Sequence, residues 1–121
     1  MRSINSLSLL LLSAVLSGPV LAEQPTVRDG YFVDSSGATL YIYDKDTEGK
    51  SVCRDNCAKN WPPALADQGD MASGDWSFVE RHDGKRQWAY KGKPLYLFVK
   101  DKKPGDTTGD GAGTVWHLAK P

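Results

Sequence analysis

The sequence predicts a mainly β protein: a small antiparallel domain made of two related β-hairpin units and one short disulfide-stapled helix. Three observations predict this class. Beyond Ala22, no stretch keeps helical periodicity for three turns. The apolar runs are short, rich in Tyr, Phe, Trp, Val and Ile, and separated by Gly, Asp and Pro, as is typical of strands and turns. One hairpin pattern also occurs twice along the chain.

The segment from Met1 to Ala22 has the pattern of a secretory signal peptide. Arg2 gives a positive start, a leucine-rich stretch runs from Leu7 to Leu16, and Val20-Leu21-Ala22 resembles a cleavage site. That stretch is far shorter than the roughly 20 residues that a membrane span needs. We therefore predict cleavage after Ala22 and a periplasmic or secreted location without a membrane span. Because Glu23 rather than a cysteine follows the cleavage site, we also expect no lipid anchor.

The remaining residues, 23–121, are predicted to form a single domain. The whole chain has 15 basic and 15 acidic side chains and no net charge. A nucleic-acid-binding protein needs a basic face, and a protein bound electrostatically to membranes needs a polybasic segment, so the charge argues against both classes.

The two copies of the hairpin pattern are related by a constant offset. Gly37 to Asp46 aligns with Gly92 to Asp101, with identities at Gly, Leu, Tyr, Lys and Asp, and Trp61 answers Trp116 at the same offset. Asp29-Gly30 is echoed by Asp83-Gly84 with a slip of one position. We therefore predict two related units, spanning approximately 29–61 and 83–116.

Each unit is predicted to be a hairpin with a glycine in its turn, and residues 23–28 are predicted to be an N-terminal arm. The outgoing strands have apolar or aromatic residues on both faces, which is typical of strands covered on both sides. The predicted strands are Tyr31–Val33, Thr39–Tyr43, Trp76–Val79, Gln87–Tyr90, Leu95–Val99 and Thr114–Leu118.

The only cysteines, Cys53 and Cys57, are predicted to form a structural disulfide, as expected in an oxidising compartment. The loop that they close is very small, so chain entropy gives it only about 2 kcal/mol. A short helix should continue to Asn60, capped by Ser51 or Asp55, and should end at Trp61 because proline follows.

Three functional roles compete with a structural disulfide. A thioredoxin-type redox pair has two residues between its cysteines instead of three, and covalent haem attachment needs a histidine directly after the second cysteine. A metal site could combine the pair with His82 and His117, although neither histidine has the spacing of a zinc finger. We expect no metal and no cofactor.

The doubled motif Tyr-x-[Phe/Tyr/Trp]-x-x-Asp stands as Tyr41 to Asp46 and as Tyr96 to Asp101. With the segment from Cys53 to Pro63, which reads Cys-x-x-x-Cys-Ala-x-x-Trp-Pro-Pro, it resembles the bacterial secreted lipoprotein-repeat family of unknown function. The resemblance covers roughly residues 30 to 118. It implies an extracytoplasmic β-rich module without an assigned activity. The lipid-attachment cysteine is missing, so membrane tethering is not carried over.

The paired motifs have two interpretations. In one, the aromatic residues pack a core and Asp46 accepts backbone N–H bonds. In the other, both Tyr–Asp sets line one groove with the two aligned tryptophans, which would suit a cationic, aromatic or sugar ligand. The candidate groove residues are Tyr41, Tyr43, Asp46, Trp61, Tyr96, Phe98, Asp101 and Trp116.

The sequence favours a non-enzymatic binding or accessory module of the cell envelope. Its partner would be an unidentified small ligand or an envelope protein. The alternative is a periplasmic redox, metal or haem protein that uses the cysteine pair and the histidines. A small hydrolase ranks last, because no nucleophile elbow or Cys–His–Asn pattern is present.

Overall fold

The computed structural model describes residues 24–121, so the predicted signal peptide and its cleavage site lie outside the described residues. Eight short strands, one α-helix and one 3-10 helix follow one another along these residues. In chain order they are β1 (Thr26–Arg28), β2 (Tyr31–Val33), β3 (Tyr41–Tyr43), α1 (Asn56–Asn60), β4 (Leu65–Ala66), β5 (Trp76–Glu80), β6 (Arg86–Tyr90), β7 (Lys93–Pro94), the 3-10 helix (Ala112–Thr114) and β8 (Trp116–Leu118).

All the strand pairs are antiparallel. β1 pairs with β2, β3 pairs with β8, and β6 pairs with β4, β5 and β7. A disulfide joins Cys53 to Cys57 beside α1. The predicted fold class, with its short stapled helix, is therefore confirmed.

The two halves of the chain, up to Ala66 and from Trp76 onward, exchange their last strands. The Ala119 N–H donates to the Leu40 carbonyl at 2.9 Å, and the Ala64 N–H donates to the Leu95 carbonyl at the same distance. Both pairs obey the sequence offset that relates the two hairpin motifs. Because each hairpin is completed by a strand from the other half, each half depends on the other for its sheet.

The exchange is centred on the two aligned tyrosines. The Tyr41 N–H donates to the Tyr96 carbonyl and the Tyr96 N–H donates to the Tyr41 carbonyl, both at 2.9 Å. A contact that recurs with its partners interchanged is the mark of a two-fold relation. The two halves are therefore related by an approximate two-fold axis that passes between Tyr41 and Tyr96.

Alternate residues of the two segments that meet at Tyr41 and Tyr96 supply two separate cores. Leu40 and Leu95, both fully buried, belong to one core with Phe32 and Trp88. Their neighbours along the chain, the two central tyrosines, belong to the other core with Trp61, Trp116 and Cys53. This alternation confirms that both segments are covered on two faces.

Two predicted elements differ in the structure. Leu95–Val99 is not a continuous strand, because β7 ends at Pro94 and only Tyr96 forms further bridges. Its neighbour there is Pro62-Pro63, and proline has no N–H group with which to continue a ladder. Residues 23–28 are not simply an arm, since 26–28 form β1. The Asp29-Gly30 turn, with φ of 55° and 89°, folds β1 back onto β2.

Smaller differences occur at the ends of other predicted elements. β3 begins at Tyr41, and Thr39 forms only an isolated bridge to Val33. β8 begins at Trp116 because the preceding residues turn as a 3-10 helix. α1 begins after Asp55, but the Asp55 side chain makes no capping hydrogen bond, since its backbone has a φ of 55°.

Candidate functional site

Four of the six aromatic side chains of the candidate groove form one stacked column. In order they are Tyr43, Trp116, Trp61 and Phe98, with ring centroids 4.2, 3.9 and 4.0 Å apart and interplanar angles of 13°, 3° and 18°. Tyr43 and Phe98, at the two ends, are sequence-aligned counterparts, and so are Trp116 and Trp61 at the centre. The column therefore obeys the same approximate two-fold axis as the backbone.

Two tyrosines pack edge-on against the column and bind carboxylates across the axis. The Tyr41 hydroxyl donates to Asp101 Oδ2 and the Tyr96 hydroxyl donates to Asp46 Oδ2, each at 2.6 Å. Each tyrosine thus pairs with the aspartate of the opposite repeat. The two copies of the sequence motif therefore hydrogen-bond to each other and do not form two independent sites.

The remaining carboxylate oxygens hold loops against the column. Asp46 Oδ1 accepts the Val52 N–H at 2.7 Å, and Asp101 Oδ1 accepts the Thr108 N–H at 2.9 Å. Backbone donors therefore fix the carboxylates, as the packing interpretation of the sequence requires for Asp46.

All eight candidate groove residues are thus brought together, but as a closely packed cluster. The Tyr41 and Tyr96 side chains are fully buried, and the two tryptophans are less than a tenth exposed. The two faces of each tryptophan ring are already covered by neighbouring rings. The open cavities beside the column are therefore the stronger candidates for a ligand site.

Burial next to carboxylates changes the ionisation of this cluster. Burial, and then the hydrogen bond to Asp101, raise the pKa of Tyr41 well above its usual value. Burial and the hydrogen bond to Asp46 raise the pKa of Tyr96 in the same way. Burial also raises the pKa of Asp46, although the hydrogen bonds from Tyr96 and Val52 oppose this shift.

We expect the folded protein to lose stability as the pH rises above about 10. The folded-state pKa of each central tyrosine lies above the unfolded value, so above that pH the folded state retains protons that the unfolded state releases. Each tyrosine contributes a loss of about 1.4 kcal/mol per pH unit until its folded pKa is reached. Urea denaturation between pH 8 and pH 11 measures this slope.

Tyr96→Phe should reduce the alkaline slope, because one of the two titrating phenols is removed. Tyr43→Phe is the matched control, since it changes a column residue and leaves both Tyr–Asp pairs in place. A full wild-type slope in Tyr96→Phe would contradict the role assigned to this hydroxyl.

The surroundings of the two Tyr–Asp pairs differ. At Tyr41, the loop of the second half closes over the pair: the Gly109 N–H donates to the Tyr41 hydroxyl at 3.2 Å, and Thr39 Oγ1 donates to the Asp106 carbonyl at 2.6 Å. At Tyr96, the hydroxyl lies 2.6 Å from Ser51 Oγ, and Ser51 lines an open cavity. The approximate symmetry is therefore broken at this cavity.

This cavity, which we call the basic cavity, has a volume of about 420 Å³. Its walls come from the segment before α1 and from the end of β5 with the turn that follows. The lining residues are Gly49, Lys50, Ser51, Val52, Arg54, Val79, Glu80, Arg81 and His82. Four of them are basic in type and one is acidic. Arg81 is fixed because its Nη1 donates to Gln87 Oε1 at 2.9 Å, and Gln87 is fully buried.

The disulfide adjoins both the column and one wall of the basic cavity. Cys53 is almost fully buried and packs in the same core as Trp61. Arg54 lies inside the small loop that the disulfide closes. The predicted pairing of the cysteines is therefore confirmed, and it holds one wall of the cavity next to the column.

The two histidines occupy different settings. His117 on β8 lies 2.7 Å from Asp44 Oδ2 through its Nε2, and His82 follows β5 and lines the basic cavity. Within residues 24–121 there is no group of three or more His, Cys, Asp or Glu side chains that could hold a metal ion.

Sequence reasoning missed the basic cavity. One of its walls ends at Arg54 and the other begins only at Val79, and the charged residues of both walls lie in or next to polar turns. Their charged residues look like ordinary solvated side chains until the fold places them together.

The fold and the column define a small antiparallel β protein of two interlocked repeats. The chain belongs to the Lipoprotein_15 family, described as a secreted repeat of unknown function, whose model matches residues 26–65 and 77–120. The resemblance read from the doubled motif is therefore confirmed. No curated protein and no solved structure matches the chain. Among the residues that the structure describes, no helix is long and apolar enough to cross a membrane.

Proposed function

We propose that this protein is a non-enzymatic binding module of the cell envelope, acting in the periplasm after cleavage at Ala22, and that it holds an anionic ligand in the basic cavity. The observation that carries the proposal is the excess of basic side chains around one open cavity. Lys50, Arg54 and Arg81 line it with His82, against a single acidic residue, Glu80.

The charge of the cavity is a local feature. The whole chain carries equal numbers of basic and acidic side chains. A cleft lined mainly by one sign of charge attracts ligands of the opposite sign and raises their local concentration. The volume of about 420 Å³ lies within the range of roughly 300–1,000 Å³ that is typical of small-ligand sites.

The cavity also offers groups that can orient a ligand. The guanidinium of Arg81 is held by Gln87, and arginine presents several donors in a planar fork that suits carboxylates and phosphates. The Ser51 hydroxyl, which is held against Tyr96, adds a polar group on the wall nearest the column. Fixed donors reduce the entropy lost on binding.

The difference between the two halves supports the same site. The column and the crossed Tyr–Asp pairs are repeated in both halves, as expected of a scaffold. The covering loop is not, since it closes over Tyr41 but leaves the Ser51 side of Tyr96 lining a cavity. The open Ser51 side of Tyr96 is therefore not imposed by the shared scaffold and is available to a ligand in the basic cavity.

The double variant Lys50→Gln/Arg54→Gln should weaken anion binding about tenfold, which corresponds to about 1.4 kcal/mol. Both side chains are exposed, so their replacement should leave the fold intact. The measurement is a titration of the ¹⁵N-labelled protein with inorganic phosphate and with glucuronate at low ionic strength, followed through amide chemical shifts. The amides of residues 49–54 and 79–82 should move and saturate.

Lys59→Gln is the matched control, because Lys59 is an exposed basic residue on α1 outside the cavity lining. It should bind both anions as the wild type does. The proposal fails if neither anion moves the cavity amides, or if the control loses as much affinity as the double variant.

A further inference from the structure

A second cavity, near the start of the described chain, has the opposite charge. Its volume is about 260 Å³, and its charged lining residues are Asp34, Asp67 and Asp70, with no basic side chain in the lining. We call it the acidic cavity. Arg86 reaches the same loop, but its Nη2 donates to the backbone carbonyls of Asp67 and Gln68 and to no carboxylate.

One carboxylate of this cavity has an unused oxygen. Asp70 is buried, with 7 % of its surface exposed, and its Oδ2 accepts the Asp67 N–H at 2.7 Å. Its Oδ1 is buried and receives no hydrogen bond from any described residue. Buried polar atoms are normally paired, and a buried carboxylate oxygen calls for a donor or a positive charge. The structure therefore has an acceptor without a donor in the wall of this cavity.

The carboxylate of Asp34, in another wall of the cavity, is held in position by hydrogen bonds within its own turn. Asp34 Oδ1 accepts the Ser36 N–H, the Ser36 hydroxyl and the Ala38 N–H at 2.7–2.9 Å. These hydrogen bonds all involve the same oxygen of the carboxylate. The turn thus fixes Asp34 through Oδ1, and no hydrogen bond from a described residue reaches its Oδ2.

The rest of the lining is largely apolar. Pro63, Trp88 and Leu97 contribute to it, and Trp88 is itself almost fully buried in the first core. Carboxylates set in apolar walls suit a ligand with a positive head and a short aliphatic stem. An ammonium group carries three N–H donors and one positive charge, so it can satisfy Asp70 Oδ1 and pair with a neighbouring carboxylate.

The approximate two-fold axis provides an internal comparison. Another cavity, of about 230 Å³, is lined by Ile42 and Ala119, which are the sequence-aligned counterparts of Leu97 and Ala64 in the acidic cavity. Its charged lining residues are Lys91, Lys93 and Lys120, and none is acidic. The shared scaffold therefore does not dictate the negative charge, which comes from Asp34 and from Asp67 and Asp70 in the loop that joins the two halves.

We propose that the acidic cavity binds an alkylammonium group, supplied either by a free short amine or by a lysine side chain. This site is separate from the basic cavity and does not depend on the function proposed for it. The ammonium would lie against Asp70 with Asp34 and Asp67 around it, and its aliphatic stem would contact Pro63 and Leu97.

The test is a calorimetric titration of the full mature protein at pH 7 and low ionic strength with three probes. They are 1,4-diaminobutane, N-acetyl-lysine amide and tetramethylammonium, which has the charge but no N–H donor. We expect one or both amines to bind at least tenfold more tightly than tetramethylammonium. Binding of the diamine points to a free amine as the source, and binding of the lysine derivative alone points to a side chain.

Asp70→Asn should reduce amine affinity at least tenfold, because it removes the charge and keeps the shape of the side chain. Asp67→Asn is the second variant, since Asp67 is exposed and its replacement should leave the fold intact even if the Asp70 variant unfolds. Asp75→Asn, an exposed carboxylate outside the lining, is the matched control. The proposal is overturned if neither amine binds, if tetramethylammonium binds equally well, or if Asp67→Asn keeps wild-type affinity.

Discussion

Replacing Trp116 with alanine should remove about 3–5 kcal/mol of the free energy of unfolding. Trp116 is covered on one face by Tyr43 and on the other by Trp61, and Tyr96 packs edge-on against it. Alanine would leave a cavity at the centre of the column and remove three aromatic contacts. Small domains have only about 5–15 kcal/mol of stability in total, so the variant should be unfolded or only marginally stable. Urea denaturation followed by far-UV circular dichroism measures the loss.

Met71→Ala is the control for this experiment, because Met71 is a large apolar side chain that is 76 % exposed. Its unfolding midpoint should stay close to that of the wild type, since exposed substitutions usually change stability by less than about 0.5 kcal/mol. Equal midpoints for the two variants would show that the column is not a main source of stability, and would reopen the groove interpretation of its residues.

The column explains why a short domain of this kind can fold around so few regular elements. No described strand is longer than β5 or β6, which have five residues each, and α1 is equally short. Such elements bury little on their own. The two interlocked cores compensate, because large aromatic side chains bury much surface each and here contact one another across both halves.

The sequence predicted the members of this cluster but not their partners. The constant offset between the two motifs identified Tyr41 with Tyr96 and Asp46 with Asp101, and the structure places all four around one axis. It could not show that each tyrosine binds the aspartate of the other repeat. A tyrosine could bind the aspartate of its own motif or that of the other motif, and the sequence is the same in both cases. Only the tertiary structure distinguishes the two arrangements.

The lengths of the elements could be predicted only where local chemistry decides them. Cys53 and Cys57 pair as expected, and α1 ends before Pro62 as expected. The segment from Leu95 to Val99 has the composition of a strand, yet its ladder is interrupted by the prolines of the neighbouring segment. That neighbouring segment belongs to the other half of the chain, so no local sequence pattern predicts the interruption.

The two candidate ligand sites were beyond sequence reasoning for a related reason. Asp70 lies in a polar loop that predicts only solvent exposure, whereas in the structure its carboxylate is buried against the Asp67 backbone. Arg54 and Arg81 come from separate turns that the fold brings to one cavity. Repeated residues predicted the scaffold, whereas the candidate sites are built by residues that the two repeats do not share, including the loop between them.

Replacing Gly109 with alanine should destabilise the protein by about 1–3 kcal/mol, through overpacking. An added Cβ would lie 2.6 Å from Trp61 Cη2 and 2.9 Å from Phe98 Cδ2, and both rings are held in the column. The covering loop would have to lift, which would also weaken the Gly109 N–H bond to Tyr41. Gly69→Ala is the matched control: an added Cβ there meets nothing within 4 Å, and neither glycine has the positive φ that would strain alanine. Urea midpoints should fall for the first variant only, and equal midpoints would mean that the loop is not pressed against the column, because then the methyl group would find room.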